Sequence, residues 1–225
     1  MNLTEIFDRA RSLLDDKRAP YLWSDIDLLG YLNAAINEAA EKAKLFKDSI
    51  TAEVCQKTIL AADPSPDYLL DTRVLKVESA KLSTRTLPLE RKPKAEMDAW
   101  RPDWRNAPAG TPRCFITDYS EGYLTLCPKS DADATLYMTV LRLPLNQMSL
   151  SQMDASPEIH FRHHFRLIDG ILAQAYEKDD SQTLDPEKAE RHRQKWLAHI
   201  DEMARGRIMA NQGNNEFLGP KYGAI

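Results

Sequence analysis

His160, His163 and His164 are crowded into one short segment, and the i,i+4 separation of His160 and His164 puts two imidazoles on one helix face within reach of a single metal ion. Two ligands are half a site. Glu158 and Asp169 lie too far round or along the segment to complete it, so His192 and His199 would have to approach from a neighbouring helix. The competing reading is histidines at a core edge or interface, bonded to backbone or carboxylates. A second set, Pro66-Asp67 followed by Glu90-Arg91-Lys92, loosely matches nucleases that hold Mg²⁺ with carboxylates on adjacent strands. Asp67 falls in a Pro-rich turn and Glu90 among surface charges, which favours a solvated turn. No residue is therefore assigned as catalytic, cofactor-binding or metal-ligating, no cofactor is expected, and a metal-dependent nuclease or hydrolase is kept as the alternative function.

Other chemistries lack their motifs. The eight glycines are isolated and none precedes Lys-Ser or Lys-Thr, so no phosphate loop is present, and neither a G-x-S-x-G elbow nor a His-Glu-x-x-His helix occurs. Cys55, Cys114 and Cys127 are odd in number, far apart and in or beside strand-like segments, which predicts reduced, buried thiols. A formal net charge of -4 argues against a dedicated nucleic-acid binder. The basic run Arg191 to Lys195 reads as a solvated helix face beside Glu187 and Glu190. Neither a secretory signal nor a membrane span is expected from the charged first segment and the short apolar runs.

The elements that must position these residues are helical at both ends and β-rich between. A first helix is predicted over Thr4–Asp16, and a second opens at Ser24, with Asp27 at the capping-box position and apolar residues from Leu28 to Phe46 at helical spacing. Alternation from Ile50 to Cys55, the run RVLKVESAKL and a short stretch near Leu87 and Leu89 predict strands. One short helix ended by Pro102 follows, then a hairpin of Cys114–Tyr119 and Tyr123–Leu126 through Ser120-Glu121-Gly122, and a long strand Thr135–Leu143. Ser156-Pro157 and Asp185-Pro186 each signal a helix start, the first with Ile159, Phe165, Ile168 and Ile171 inward. The fold class is thus α+β. A helical bundle is expected from residues 1–47 and 151–210, with a β-rich domain inserted at 48–150 and an extended tail at 211–225.

The helix LWSDIDLLGYLNAAINEAAEKAKLF, the stretch MDAWRPDWRNAPAGTPRCFITDYSEGYLTLCPKSDADATLYMTVLRLP and the return helix SPEIHFRHHFRLIDGILAQAYEKDD occur in an informative order. Together they resemble the head-to-tail adaptor (neck) proteins of tailed bacteriophages, notably the larger podophage-type ones, over about residues 20–205. The motifs are a Trp before G-x-P-x-x-F at Trp104 to Phe115, a strand end at Leu124 to Pro128, and Pro-Glu-Ile with His164 three residues before Leu167. CPKSDADA departs from the more regular proline-rich turn of the family.

The resemblance implies a structural virion protein and no enzyme. It implies a ring of about twelve copies joining the portal protein to the tail or nozzle protein, with DNA passing through on ejection without sequence-specific binding. It implies a virion location, host cytoplasm during assembly, and portal docking through the tail at about residues 211–225. Physical chemistry singles out Phe217, Leu218, Tyr222 and Ile225 as apolar anchors on that polar segment. The strand Thr135–Leu143 carries apolar residues on both faces, so Tyr137, Leu141 and Leu143 are the candidate subunit interface. A small cytosolic scaffolding protein would share this plan, without the ring.

Overall fold

The computed structural model describes residues 1–180 and 182–212. In chain order these form α1 (Leu3–Leu14), α2 (Asp25–Ala43), β1 (Phe46–Asp48), α3 (Ala52–Cys55), β2 (Gln56–Ile59), β3 (Asp67–Leu69), β4 (Val74–Leu82) and β5 (Glu90–Arg91). There follow α4 (Lys94–Trp100), β6 (Cys114–Ile116), β7 (Tyr123–Cys127), β8 (Ala134–Arg142), α5 (Leu167–Glu177) and α6 (Pro186–Gln212). The class is α+β. Two compact units divide the chain: Met1–Leu45 with the chain from Pro144 onward, and Phe46–Leu143.

In the first unit α1 starts at Leu3, one residue ahead of the expected Thr4, behind an Asn2 cap: Asn2 Oδ1 accepts the Glu5 N–H at 2.9 Å and Glu5 accepts the Asn2 N–H at 3.0 Å. α2 opens at Ser24 with the predicted box, Asp27 N–H on the Ser24 hydroxyl at 3.1 Å and Ser24 N–H on the Asp27 carboxylate at 3.2 Å. The segment joining α1 and α2 is held by Arg11, which donates to Asp16 at 2.8 Å, to the Trp23 carbonyl at 3.0 Å and to Asp25 at 2.6 Å. The Trp23 indole N–H then reaches the Ala175 carbonyl at 2.9 Å. α5 lies against α6, α2 and α1 over a core that includes Ile6, Leu28, Leu32, Ile171 and Trp196.

The return segment departs from its expected form. Ser156-Pro157 does not open a helix; a 3₁₀ turn spans Phe161–Arg166, with His160 at its N-cap, and α-helical geometry begins only at Leu167. Three residues per turn set the 3₁₀ stretch out of phase with α5. Phe165, expected inward, is 58% exposed as a result.

The second unit contains two four-stranded sheets. In one, β8 is central: β4 pairs along one side of it, and β1 and β2 pair in tandem along the other, all antiparallel. In the other the order is β3-β7-β6-β5, with only the β5–β6 pair parallel. The predicted β6–β7 hairpin forms, and Gly122 takes φ 76° at its turn, a conformation open to glycine. The strand expected through Ile50–Cys55 does not form: β1 ends at Asp48, α3 takes Ala52–Cys55, and β2 begins only at Gln56. The Asp48 carboxylate takes the N–H of Ile50 at 2.8 Å and of Thr51 at 3.1 Å, together with the Thr51 hydroxyl at 2.7 Å. These local bonds consume donors that a ladder would need.

Candidate interaction surfaces

The histidines do not converge. His160 is the N-cap, with ψ 136°, and stands outside the 3₁₀ turn that holds His164, so the α-helical i,i+4 face expected for the pair does not form. His164 donates from Nε2 to the Ile159 carbonyl at 2.6 Å and receives the Met1 ammonium on Nδ1 at 3.0 Å. On α6, His192 Nδ1 and His199 Nε2 meet opposite oxygens of Asp169 at 2.8 and 3.1 Å, two helical turns apart on one face. Among the described residues no group of three His, Cys, Asp or Glu is placed to hold a metal ion.

Asp67 and Glu90 lie on β3 and β5, the two outer strands of one sheet. Two strands intervene, which separates them by about 14 Å, several times the metal–oxygen distances of a shared Mg²⁺. Asp67 opens β3 rather than a turn, and accepts the Thr125 hydroxyl at 2.6 Å and the Ser65 hydroxyl at 2.9 Å. The three thiols are buried and free. Burial pushes the Cys55 thiol up to about 11 and Cys114 up to about 12, so neither is a nucleophile at neutral pH.

The basic run on α6 is not a uniformly solvated face. Arg193 places two N–H groups on Glu38 of α2 at 2.8 and 2.7 Å, the Trp196 indole donates to the same carboxylate at 2.8 Å, and Lys42 joins at 2.6 Å. Sequence spacing reveals the Glu38–Lys42 pair but not Arg193, whose partner lies on a helix far away in the chain. Trp104 is packed, with its indole N–H on Asp98 at 2.9 Å, whereas Trp100 is 68% exposed.

What remains is surface. Tyr137 is 46% exposed, opposite Gln56 on β2 and Lys81 on β4. Leu141, expected beside it at an interface, is only 2% exposed. Lys47 on β1, opposite Leu141, meets Glu78 on β4 at 2.8 Å, so an ion pair bridges β8 and its side-chain stems cover that leucine. Leu143 is partly covered. The tail anchors Phe217, Leu218, Tyr222 and Ile225 lie outside the described residues. Phe161, on the 3₁₀ turn, is 74% exposed, and sequence reasoning missed it because a helix was assumed there.

The sequence matches the SU10 adaptor protein family over residues 1–216, and the chain belongs to that family, which is one of phage structural adaptors. No curated protein matches the sequence. No described helix is long and apolar enough to cross a membrane.

Proposed function

We propose that this protein is the head-to-tail adaptor of a tailed phage, of the larger podophage type, seated between the portal vertex and the tail and surrounding the DNA channel. The observation that carries the reading is the family match, which runs through both units and into the segment beyond α6. In this reading about twelve copies form a closed ring, with the helical unit as a bundle lining it. Tyr137 and Leu143 contribute to the contact between neighbours. Residues 211–225 dock on the portal through Phe217, Leu218, Tyr222 and Ile225, and the tail or nozzle protein meets the opposite face. Assembly takes place in the host cytoplasm and ends in the virion. The net charge of -4 suits a channel through which DNA slides without sticking.

Light scattering of the full chain and of a chain ending at Ala210, each alone and mixed with the portal ring from the same source, tests this. The full chain is expected to join the portal in many copies and the shortened one to stay unbound. A full chain that remains monomeric beside the portal overturns the proposal.

A further inference from the structure

A cleft of about 540 Å³ opens in the helical unit between the 3₁₀ turn and the C-terminal half of α6. Arg162, His163 and Arg166 line one side, and Met203, Arg205, Gly206 and Met209 the other. Arg166 is tied across it to Glu202 at 2.8 Å, which holds the two walls together. Three guanidinium groups against one carboxylate leave the cleft positive in a chain whose net charge is -4.

Two features point to a ligand. His163 is only 7% exposed, yet its Nδ1 has no hydrogen-bond partner among the described residues. Its Nε2 accepts from Arg162 Nε at 3.0 Å, so the neutral ring carries its proton on Nδ1, a buried donor with nothing to donate to. An orphaned donor of this kind is unfavourable until an acceptor arrives. The second feature is Gly206 in the interior of α6, where a Cβ would meet no atom within 4 Å. Glycine is disfavoured inside a helix, and here its effect is to leave room on the cleft wall.

We infer that this cleft receives a carboxylate-bearing, partly apolar peptide segment of a partner protein, the carboxylate taking the His163 Nδ1–H and the free edges of Arg162 and Arg205. The apolar part of such a segment has Met203 and the exposed Met209 on the cleft lining. A nucleic-acid backbone fits less well, because Glu202 would repel a continuous row of phosphates and the methionines would face no apolar group. The inference does not rest on the portal-docking reading of residues 211–225.

The test uses the full chain and a fluorescein-labelled dodecapeptide alternating Asp or Glu with Leu or Phe, read by anisotropy. Controls are the same peptide with Asn and Gln for the acids, and a duplex oligonucleotide. The acidic peptide is expected to bind and the amide peptide to bind at least tenfold more weakly. Gly206→Leu, which fills the cleft while improving helix propensity, and Arg205→Gln, on the surface, are each expected to weaken the acidic peptide tenfold or more. Arg191→Gln, outside the cleft, leaves it unchanged. Equal binding of the two peptides, or affinity indifferent to Gly206→Leu and Arg205→Gln, overturns the inference. Variant-sensitive binding of the oligonucleotide in place of the peptide makes this a phosphate site and also overturns it. So does peptide binding that emerges only in a chain ending at Gln212, which would make residues 213–225 the occupant.

Discussion

Arg142 donates its Nε hydrogen to Asp48 at 2.7 Å, linking β8 to the end of β1 with both side chains more than nine-tenths buried. Burial alone would raise the Asp48 pKa, but the donors from Ile50, Thr51 and Arg142 override it and hold the carboxyl well below its usual range. Asp48→Ala removes a buried carboxylate that Arg142 bonds and the common acceptor of the Ile50 and Thr51 donors. The expected loss is about 3–5 kcal/mol, read as a lower urea midpoint at unchanged slope. Replacing both partners with apolar residues of similar volume is expected to cost less than the single change.

Glu38 joins α2 to α6 and supplies the pH dependence. Burial raises its pKa, yet bonds from Arg193, Lys42 and Trp196 outweigh this and bring it from 4.5 down to about 2. A depressed folded pKa means the unfolded chain binds the proton first, so this contribution is full above about pH 4.5 and is lost as pH falls toward about 2. Urea midpoints of the wild type and Glu38→Gln are expected to differ at neutral pH and to converge across that window.

Two glycines in helices should respond to alanine with opposite sign. At Gly170 a Cβ would lie 2.8 Å from the Ala35 Cβ and 3.1 Å from the Trp196 ring, where α5 meets α2 and α6. Overpacking of this kind costs about 1–3 kcal/mol. Gly206→Ala meets no atom and is expected to gain up to about 1 kcal/mol from helix propensity. Thermal melts of the two variants decide it.

His163 is expected to stay neutral well below the usual imidazole range. Burial, then the neighbouring Arg162 and Arg166 charges, lower its pKa from 6.5 to about 4. The unfolded chain takes up the proton first, so the neutral buried ring favours the native state above about pH 6.5, and this is lost as pH falls toward about 4. An NMR titration of the imidazole nitrogens should find a midpoint near 4; one near 6.5 would contradict the buried, arginine-flanked setting.

Tyr137→Ser removes an exposed ring, so the urea midpoint should move by no more than about 0.5 kcal/mol in equivalent stability. Assembly should suffer all the same. In the mixing experiment with the portal, the variant is expected to give fewer bound copies or none.

Most of the fold was legible where a local device specifies it. The Ser24 box with Asp27, the Asp185-Pro186 start of α6 and the turn at Gly122 were each readable from a few adjacent residues, because those residues bond one another. The breaks at Asp48 and at His160–Arg166 were not. Ile50–Cys55 alternates as a strand should, yet Asp48 captured its amides, and the Asp-x-x-Thr spacing was the one signal that could have shown it. Phe161 and Phe165 carry a helical spacing that a 3₁₀ turn does not honour.

The sequence by itself determined the α+β class, the helical ends around a β-rich middle and the absence of the common nucleotide and hydrolase motifs, since periodicity, caps and motifs are properties of neighbouring residues. It also carried the adaptor resemblance, which is a matter of order along the chain. Only the tertiary structure decided that Arg193 belongs to Glu38, that Lys47 and Glu78 close over Leu141, and that Asp67 and Glu90 stand on opposite edges of a sheet. Each of those relations joins residues of different elements, and their meeting is set by packing of whole helices and strands rather than by any spacing along the chain.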